Sequence, residues 1–212
     1  VVVLLLCVVS GGRCYYAGPV LAALFAAGAI LIESQDPQRM PRGWTIALAA
    51  QFLGAAVFCL PVLPPAQATA LRQVNPIPME TYGWPDFVEQ VAAAAAELPE
   101  DVPIFTNNYG EASALRILGP AAGIHRPVVS GDSSYAAWGP PAGDAATVLC
   151  VGRFPVAKLT KYWAHVTYLS SIRFPAGVRN GESSAKIYLC EQPRGTWAAM
   201  WPRMRHSSGV GY

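Results

Sequence analysis

One stretch of the chain, residues 106–112, gathers polar side chains that can bind a small ligand. Asn107, Asn108 and Tyr109 follow a short apolar run, and Glu111 comes three residues after Asn108. Polar groups just past the carboxyl end of a strand are typical of ligand sites in open α/β sheets. The same residues are also typical of a helix start, because asparagine can cap a helix and an acidic first turn complements its dipole. The sequence therefore predicts a strand-to-helix turn here, with a polar-ligand or acceptor site as the functional alternative.

A second polar loop, residues 130–140, also follows an apolar run and contains Asp132, Tyr135 and Trp138. If the two preceding strands are neighbours in a sheet, the two loops converge on one crevice. The aromatic rings then offer faces on which a sugar can stack. An aromatic-anchored loop resting on a membrane surface explains the same residues equally well.

Other chemistries have no support in the residue pattern. Glycine-rich phosphate loops and the G-x-S-x-G element of hydrolases are absent. His125, His165 and His206 are isolated from any spaced cysteine or acidic cluster, so no metal site is predicted. No catalytic residue and no cofactor is therefore assigned to this chain. The net charge of +2 is small and scattered, which argues against a nucleic-acid partner.

The elements that must position these loops lie in residues 84–212. Apolar periodicity alternates there between the helical and the strand pattern, which indicates a small α/β domain with three layers and a largely parallel sheet. The predicted helices are 84–98, 110–118, 155–165 and 197–205, and the predicted strands are 102–106, 126–130, 146–151 and 186–190. Cys150 and Cys190 lie in two of these strands, and a disulfide between them stays open because sequence does not show whether the strands are neighbours.

Residues 1–63 have a different composition, with only five charged side chains. The runs 14–32 and 44–63 hold 19 and 20 residues without a polar stripe. Helices of that length span about 30 Å, the thickness of a bilayer core. The sequence predicts transmembrane segments in 1–63 (a partial span 1–9 and spans of about 14–32 and 44–63) and a linker in 64–83. The predicted fold class is thus the α-helical end of a polytopic membrane bundle followed by a small extracytoplasmic α/β domain.

The positions of the arginines and the first residues of the sequence add a predicted topology and location to this fold class. Arg39 and Arg42 lie between the two apolar runs and Arg13 alone lies before them, so the intervening turn is predicted to be cytoplasmic. The α/β domain is then extracytoplasmic, and the protein is integral to the plasma membrane. The sequence opens at Val1 without an initiator methionine or a basic flank, which is typical of a fragment of a longer membrane protein.

Several short motifs resemble one protein family. The run 12–21 with 25–29 resembles the outer end of a late transmembrane helix in bacterial polytopic glycosyltransferases of the GT-C superfamily, which are related to protein O-mannosyltransferases and the lipid A aminoarabinose transferase. Arg13 stands where lysine is usual in that family, and Pro19 comes early. The soluble part resembles the family's C-terminal extracytoplasmic domain. The stretches that carry this second likeness are 108–112, 118–120, 129–131, Tyr135, 138–140, 187–190 and 201–206.

The resemblance implies an integral-membrane glycosyltransferase. Such an enzyme transfers a sugar from a polyprenyl-phosphate-linked donor to a glycan, lipid or protein acceptor on the outer face, with membrane lipid as a further partner. The family's catalytic acidic residue lies in a first outer loop that this chain does not contain, so the fragment alone is expected to be inactive. A divalent metal in the full-length enzyme is left unassigned.

By the same resemblance, Arg13 would pair with the donor phosphate, and Tyr15 and Tyr16 would line the same rim. A lone arginine at a membrane interface can also be a simple snorkelling anchor. The alternative function for the whole chain is a membrane-anchored binding or sensor domain that captures a small polar ligand without catalysis.

Overall fold

The computed structural model describes residue 9 and residues 18–34, 42–59, 63–71, 73 and 77–207. Two compact units divide the chain between Ala56 and Val57. The N-terminal unit contributes two described helices, α1 (Gly18–Glu33) and most of α2 (Arg42–Cys59). Large apolar side chains of both helices, including Phe25 and Phe52, are exposed.

The predicted membrane bundle is wrong. Helix α1 has 16 described residues and rises about 24 Å, and α2 has 18 and rises about 27 Å. A bilayer core is about 30 Å thick. Among the described residues, no helix combines the length and apolar character that crossing a membrane requires. Apart from Val9, the predicted partial span 1–9 lies outside the described residues.

The C-terminal unit is an α/β fold built on one mixed sheet of five strands. Its helices are α3 (Pro65–Leu71), α4 (Trp84–Ala96), α5 (Tyr109–Leu118), α6 (Val156–Leu159) and α7 (Trp197–Met204). Its strands are β1 (Ile104–Thr106), β2 (Val128–Ser130), β3 (Thr147–Gly152), β4 (Trp163–Ser171) and β5 (Lys186–Pro193). Short 3-10 helices form at Ile77–Thr81, Gly119–Ala122 and Ser133–Trp138.

The strand order is β2–β1–β3–β5–β4, and the sheet is mixed. Strand β1 pairs in parallel with β2 and β3, whereas β5 runs antiparallel to both β3 and β4. The prediction of a largely parallel sheet is therefore wrong. The sheet prediction failed because residues 155–165 were predicted to be one helix. Only Val156–Leu159 is helical, and the chain then enters β4, an edge strand with a mostly exposed side-chain pattern that hides the usual alternation.

Side chains alternate across the sheet and form two apolar clusters, one on each face. Ile104 and Leu149 face α4 and α5, where Phe87, Val91 and Leu115 pack on them. The opposite face is rich in aromatic side chains and is covered by α6 and α7. Its members are Phe105, Val148, Cys150, Phe154, Leu159, Trp163, Tyr188, Cys190, Trp197, Met200, Trp201 and Met204. Cys150 and Cys190 are both buried there as free thiols.

The segment predicted as a linker, residues 64–83, contains regular structure that packs on the α/β fold. The Thr69 hydroxyl, on α3, donates to the carbonyl oxygens of Pro65 and Gly177. Met79 is fully buried. The Glu80 carboxylate accepts the backbone N–H of Gly181 at 3.0 and 3.1 Å. The loop between β4 and β5 is therefore held against this segment.

Candidate functional site

The carboxyl ends of the parallel strands β1, β2 and β3 meet at one edge of the sheet, where open α/β sheets place their ligands. Both polar loops of the sequence, 106–112 and 130–140, lie at this edge. The backbone N–H of Tyr109 donates to the Asp132 Oδ2 atom at 3.2 Å, which joins the two loops directly. The structure thus brings together the residues that sequence reasoning had placed in one crevice.

The start of α5 uses two of these side chains for capping. The Asn108 Oδ1 atom accepts the backbone N–H of Glu111 at 2.9 Å. The Glu111 carboxylate in turn accepts the backbone N–H groups of Asn107 at 2.8 Å and Asn108 at 3.0 Å. This reciprocal capping box satisfies N–H groups that have no partner within the helix. Capping by Asn108 is confirmed, so Asn108 and Glu111 hold the turn together.

Glu111 also belongs to a buried carboxyl pair that the sequence did not reveal. Its partner is Glu182, 71 positions later, whose Oε1 atom accepts a hydrogen bond from the Asn108 side chain at 2.9 Å. Burial raises the pKa of the fully buried Glu111 well above its ordinary value, and the charge of Glu182 and a hydrogen bond with it raise the pKa further. Protonated Glu111 is the donor that such a hydrogen bond needs.

The carboxyl pair has no room for a ligand. Gly152, at the end of β3, packs so closely that an added Cβ would lie 2.6 Å from both Glu111 carboxylate oxygens. One oxygen of each acid, Glu111 Oε1 and Glu182 Oε2, is buried and receives no N–H or hydroxyl hydrogen bond from the described residues, so only a proton carried by one of the two acids can join them. The described part of the chain holds no group of three or more histidine, cysteine or acidic residues fit for a metal. We interpret the pair as a proton-holding structural element.

Asp132 is the second fully buried acid at this edge. Its Oδ1 atom accepts the Ser133 hydroxyl at 2.8 Å. The Asp132 carboxylate acts electrostatically on Lys158, on α6. Burial lowers the pKa of the lysine, and the charge of Asp132 opposes that shift. Ser133 has a φ of 51°, an uncommon left-handed conformation for a residue other than glycine. Asp132 therefore ties its own loop to the start of α5.

The C-terminal segment closes the edge through His206. Its backbone N–H donates to the Gly131 carbonyl, and its carbonyl accepts the Ser133 N–H, both at 2.8 Å. The ring nitrogens lie 2.9 Å from the carbonyl oxygens of Met204 and Asn107. A neutral imidazole can donate to only one of them. His206 is thus part of the site, although its isolation in the sequence gave no signal of this.

The exposed part of the site is an aromatic shelf, formed by Tyr135, Trp138 and Arg116. The two rings lie 4.3 Å apart between centroids and are tilted by 52°. The Arg116 guanidinium lies 4.7 Å from the centroid of the Trp138 ring. The Tyr135 hydroxyl is 2.9 Å from the Ser113 hydroxyl, which fixes that ring on α5, while Trp138 is 63% exposed. Sequence reasoning found both aromatic residues but missed Arg116.

Helix α5 presents further groups beside the shelf. Tyr109, Ser113 and Arg116 are four and three residues apart, so they lie on one face of the helix. Tyr109 is 45% exposed. This face places a hydroxyl-bearing ring and a cation beside the tilted aromatic pair.

The predicted donor-phosphate residues Arg13, Tyr15 and Tyr16 lie outside the described residues. The resemblance to GT-C glycosyltransferases, on which those roles depend, stays a prediction. No family model, curated protein or solved structure matches the chain.

Proposed function

We propose that the C-terminal unit binds a glycan on the aromatic shelf. We propose further that it does so as the acceptor-recognition part of an enzyme that transfers a sugar from a polyprenyl-phosphate-linked donor. The single observation that supports the binding role is the tilted pair of half-buried Tyr135 and exposed Trp138, with Arg116 packed on the Trp138 ring. The transfer role is supported by the resemblance of the sequence motifs.

Preorganisation favours ligand binding at the shelf. Tyr135 is held by Ser113, and Trp138 contacts both Tyr135 and Arg116, so little side-chain freedom remains to be lost when a ligand binds. A sugar ring has an apolar face that can stack on an indole, and its hydroxyl groups can accept hydrogen bonds from a guanidinium. The shelf offers both kinds of contact within one small area.

A second function uses the same shelf without catalysis. In that case the unit captures a small polar ligand, and the loops at the sheet edge serve only to hold the shelf in place. This alternative is favoured by the buried acids, since Glu111 and Asp132 are fully buried and engaged in hydrogen bonds that hold backbone and loops. An extracytoplasmic location and a membrane-lipid partner stay predictions.

Binding is tested by isothermal titration calorimetry with the full 212-residue chain and a panel of soluble hexose and pentose oligosaccharides. We expect at least one oligosaccharide to bind and Trp138→Ala to weaken its binding about tenfold, since burying the apolar face of an aromatic ring contributes on the order of 1–2 kcal/mol. Tyr168→Ala, which removes another exposed aromatic ring from β4, is the matched control. Equal weakening in both variants, or no binding by the parent, contradicts a glycan site on the shelf.

Transfer is tested separately by incubating the chain and the bound oligosaccharide with a polyprenyl-phosphate-linked sugar. Because the resemblance carries no catalytic acid onto these residues, we expect binding without turnover by this chain alone. Sugar transfer above background would show that a catalytic group lies within the 212 residues. Binding without transfer by any longer form of the protein favours the non-catalytic alternative.

A further inference from the structure

The loop between β4 and β5 forms an open cleft of about 570 Å³. We call it the arginine cleft, because Arg173 and Arg179 line it together with the apolar side chains of Phe174 and Val178. A volume of this size is within the range of small-molecule sites. The cleft lies in a different loop from the aromatic shelf.

Hydrogen bonds hold the backbone of this loop in place on both sides of the cleft. The Gln90 side-chain amide, from α4, donates to the Arg173 carbonyl at 2.7 Å and accepts the Arg173 N–H at 2.9 Å. On the other side, the Asn180 side chain donates to the Tyr82 carbonyl at 2.8 Å. Gly181 is bound by Glu80, as described above. The two arginines therefore extend from a built loop.

Both arginine side chains lack an internal partner. Arg173 and Arg179 are exposed, and neither guanidinium makes a hydrogen bond or an ion pair with any described residue. Arg126 gives the contrast, because its guanidinium donates to four carbonyl oxygens at the end of α4, those of Ala95, Leu98, Pro99 and Val102. Arg126 is committed to the fold, whereas the cleft arginines have their donors available.

We propose that the arginine cleft binds the phosphoryl group of a phosphorylated ligand, and that the neighbouring part of that ligand packs on Phe174 and Val178. Guanidinium groups donate paired N–H groups in a planar fork that matches the oxygens of a phosphoryl group. Two guanidinium groups beside one cleft match the charge of a dianionic phosphoryl group. The apolar side chains of Phe174 and Val178 favour a ligand that has an apolar part next to its phosphoryl group. The phosphoryl group is carried either by a soluble phosphate ester or by a lipid headgroup.

The test uses the full chain with two probes, inorganic pyrophosphate in calorimetry and sedimentation with vesicles of phosphatidylcholine that do or do not contain phosphatidate. The cleft variant is Arg173→Ala with Arg179→Ala. The matched control is Arg203→Ala with Arg205→Ala, which removes the same charge from exposed positions in and after α7. We expect the cleft variant to bind at least about tenfold more weakly than the parent, and the control to bind like the parent at equal ionic strength.

The two probes separate the two sources of the phosphoryl group. Pyrophosphate binding that is lost in the cleft variant supports a soluble phosphate ester. Binding restricted to phosphatidate vesicles, and lost in the same variant, supports a lipid headgroup. The proposal is overturned if neither probe binds the parent, or if the cleft and control variants lose affinity equally, because the effect is then one of net charge. Circular dichroism of both variants checks that the fold is retained.

Discussion

Replacement of Glu111 by glutamine tests whether this buried acid holds a proton. Glutamine has the same shape, and its side-chain oxygen can accept the same backbone N–H groups of Asn107 and Asn108. Its amide also supplies N–H donors toward Glu182, where the acid needs a bound proton to donate. Glu111→Gln should therefore preserve the capping box and remove the titration.

The magnitude follows from proton linkage. The pKa of Glu111 in the folded chain is well above 4.5, its ordinary value. Between these two values the folded state binds one more proton than the unfolded state, so the free energy of unfolding falls by up to about 1.4 kcal/mol per pH unit. The contribution of this proton is complete below the unfolded pKa and is lost as the pH rises through the folded pKa. The free energy of unfolding of Glu111→Gln should therefore match that of the parent below the unfolded-state pKa. At higher pH the variant should become progressively more stable than the parent.

The assay is urea unfolding of parent and variant, followed by tryptophan fluorescence at several pH values from 4 to 9. Glu111→Ala is the second variant, because it removes both the cap and the acceptor for the Asn108 N–H. Loss of a cap costs about 1 kcal/mol and a buried unpaired N–H about 1–3 kcal/mol, so we expect this variant to lose about 3 kcal/mol. A stability difference between Glu111→Gln and the parent that does not change with pH would refute the interpretation that Glu111 holds a proton.

Three further predictions concern single positions. Gly152→Ala should lower the free energy of unfolding by about 2 kcal/mol or more in thermal or urea unfolding, because Gly152 has a φ of 129° and an added Cβ would lie 2.5 Å from the Asn107 Cβ. An unchanged free energy of unfolding in Gly152→Ala would contradict this prediction, because it would show that the backbone around Gly152 can make room for a Cβ atom. Peptide-level mass spectrometry should find Cys150 and Cys190 unlabelled by an alkylating reagent in the native chain and labelled in urea, since both are buried and burial raises the pKa of the Cys150 thiol. Rapid native labelling would contradict their burial. Arg126→Ala should cost about 2–3 kcal/mol in urea unfolding, and Arg126→Lys should recover only part of it, because a single ammonium group cannot reach four carbonyl oxygens as the fork does. Full recovery by lysine would refute this reason.

Local signals predicted the turn between β1 and α5 well. A short apolar run, two asparagines and an acid three residues later are close together in sequence, and they form a strand, a cap and a helix in that order. The observed helix begins at Tyr109, one residue before the predicted start. The convergence of this turn with the Asp132 loop was also expected, since strands separated by one helix are often neighbours in a sheet.

Long-range contacts could not be predicted. Glu182 meets Asn108 across 74 positions, and no local pattern marks it as a partner. Strand β4 was missed because an edge strand exposes most of its side chains, and Pro155 ahead of it indicated a helix start. The apolar runs near the N-terminus were read as spans from composition. Composition alone does not show whether an apolar run crosses a membrane, and no helix in the described part of the chain has the length and apolar character for that.

The contact between His206 and Asn107 joins residues 99 positions apart, and this separation determines when the edge can be completed during synthesis. The turn after β1 leaves the ribosome long before His206, which contacts that turn, has been synthesised. Until α7 has emerged, the aromatic face of the sheet has no cover from Trp197 and Trp201, and the nascent domain carries exposed apolar surface that favours association. Completion of this fold therefore follows translation of residue 206, and a chain truncated before Trp197 cannot bury that face.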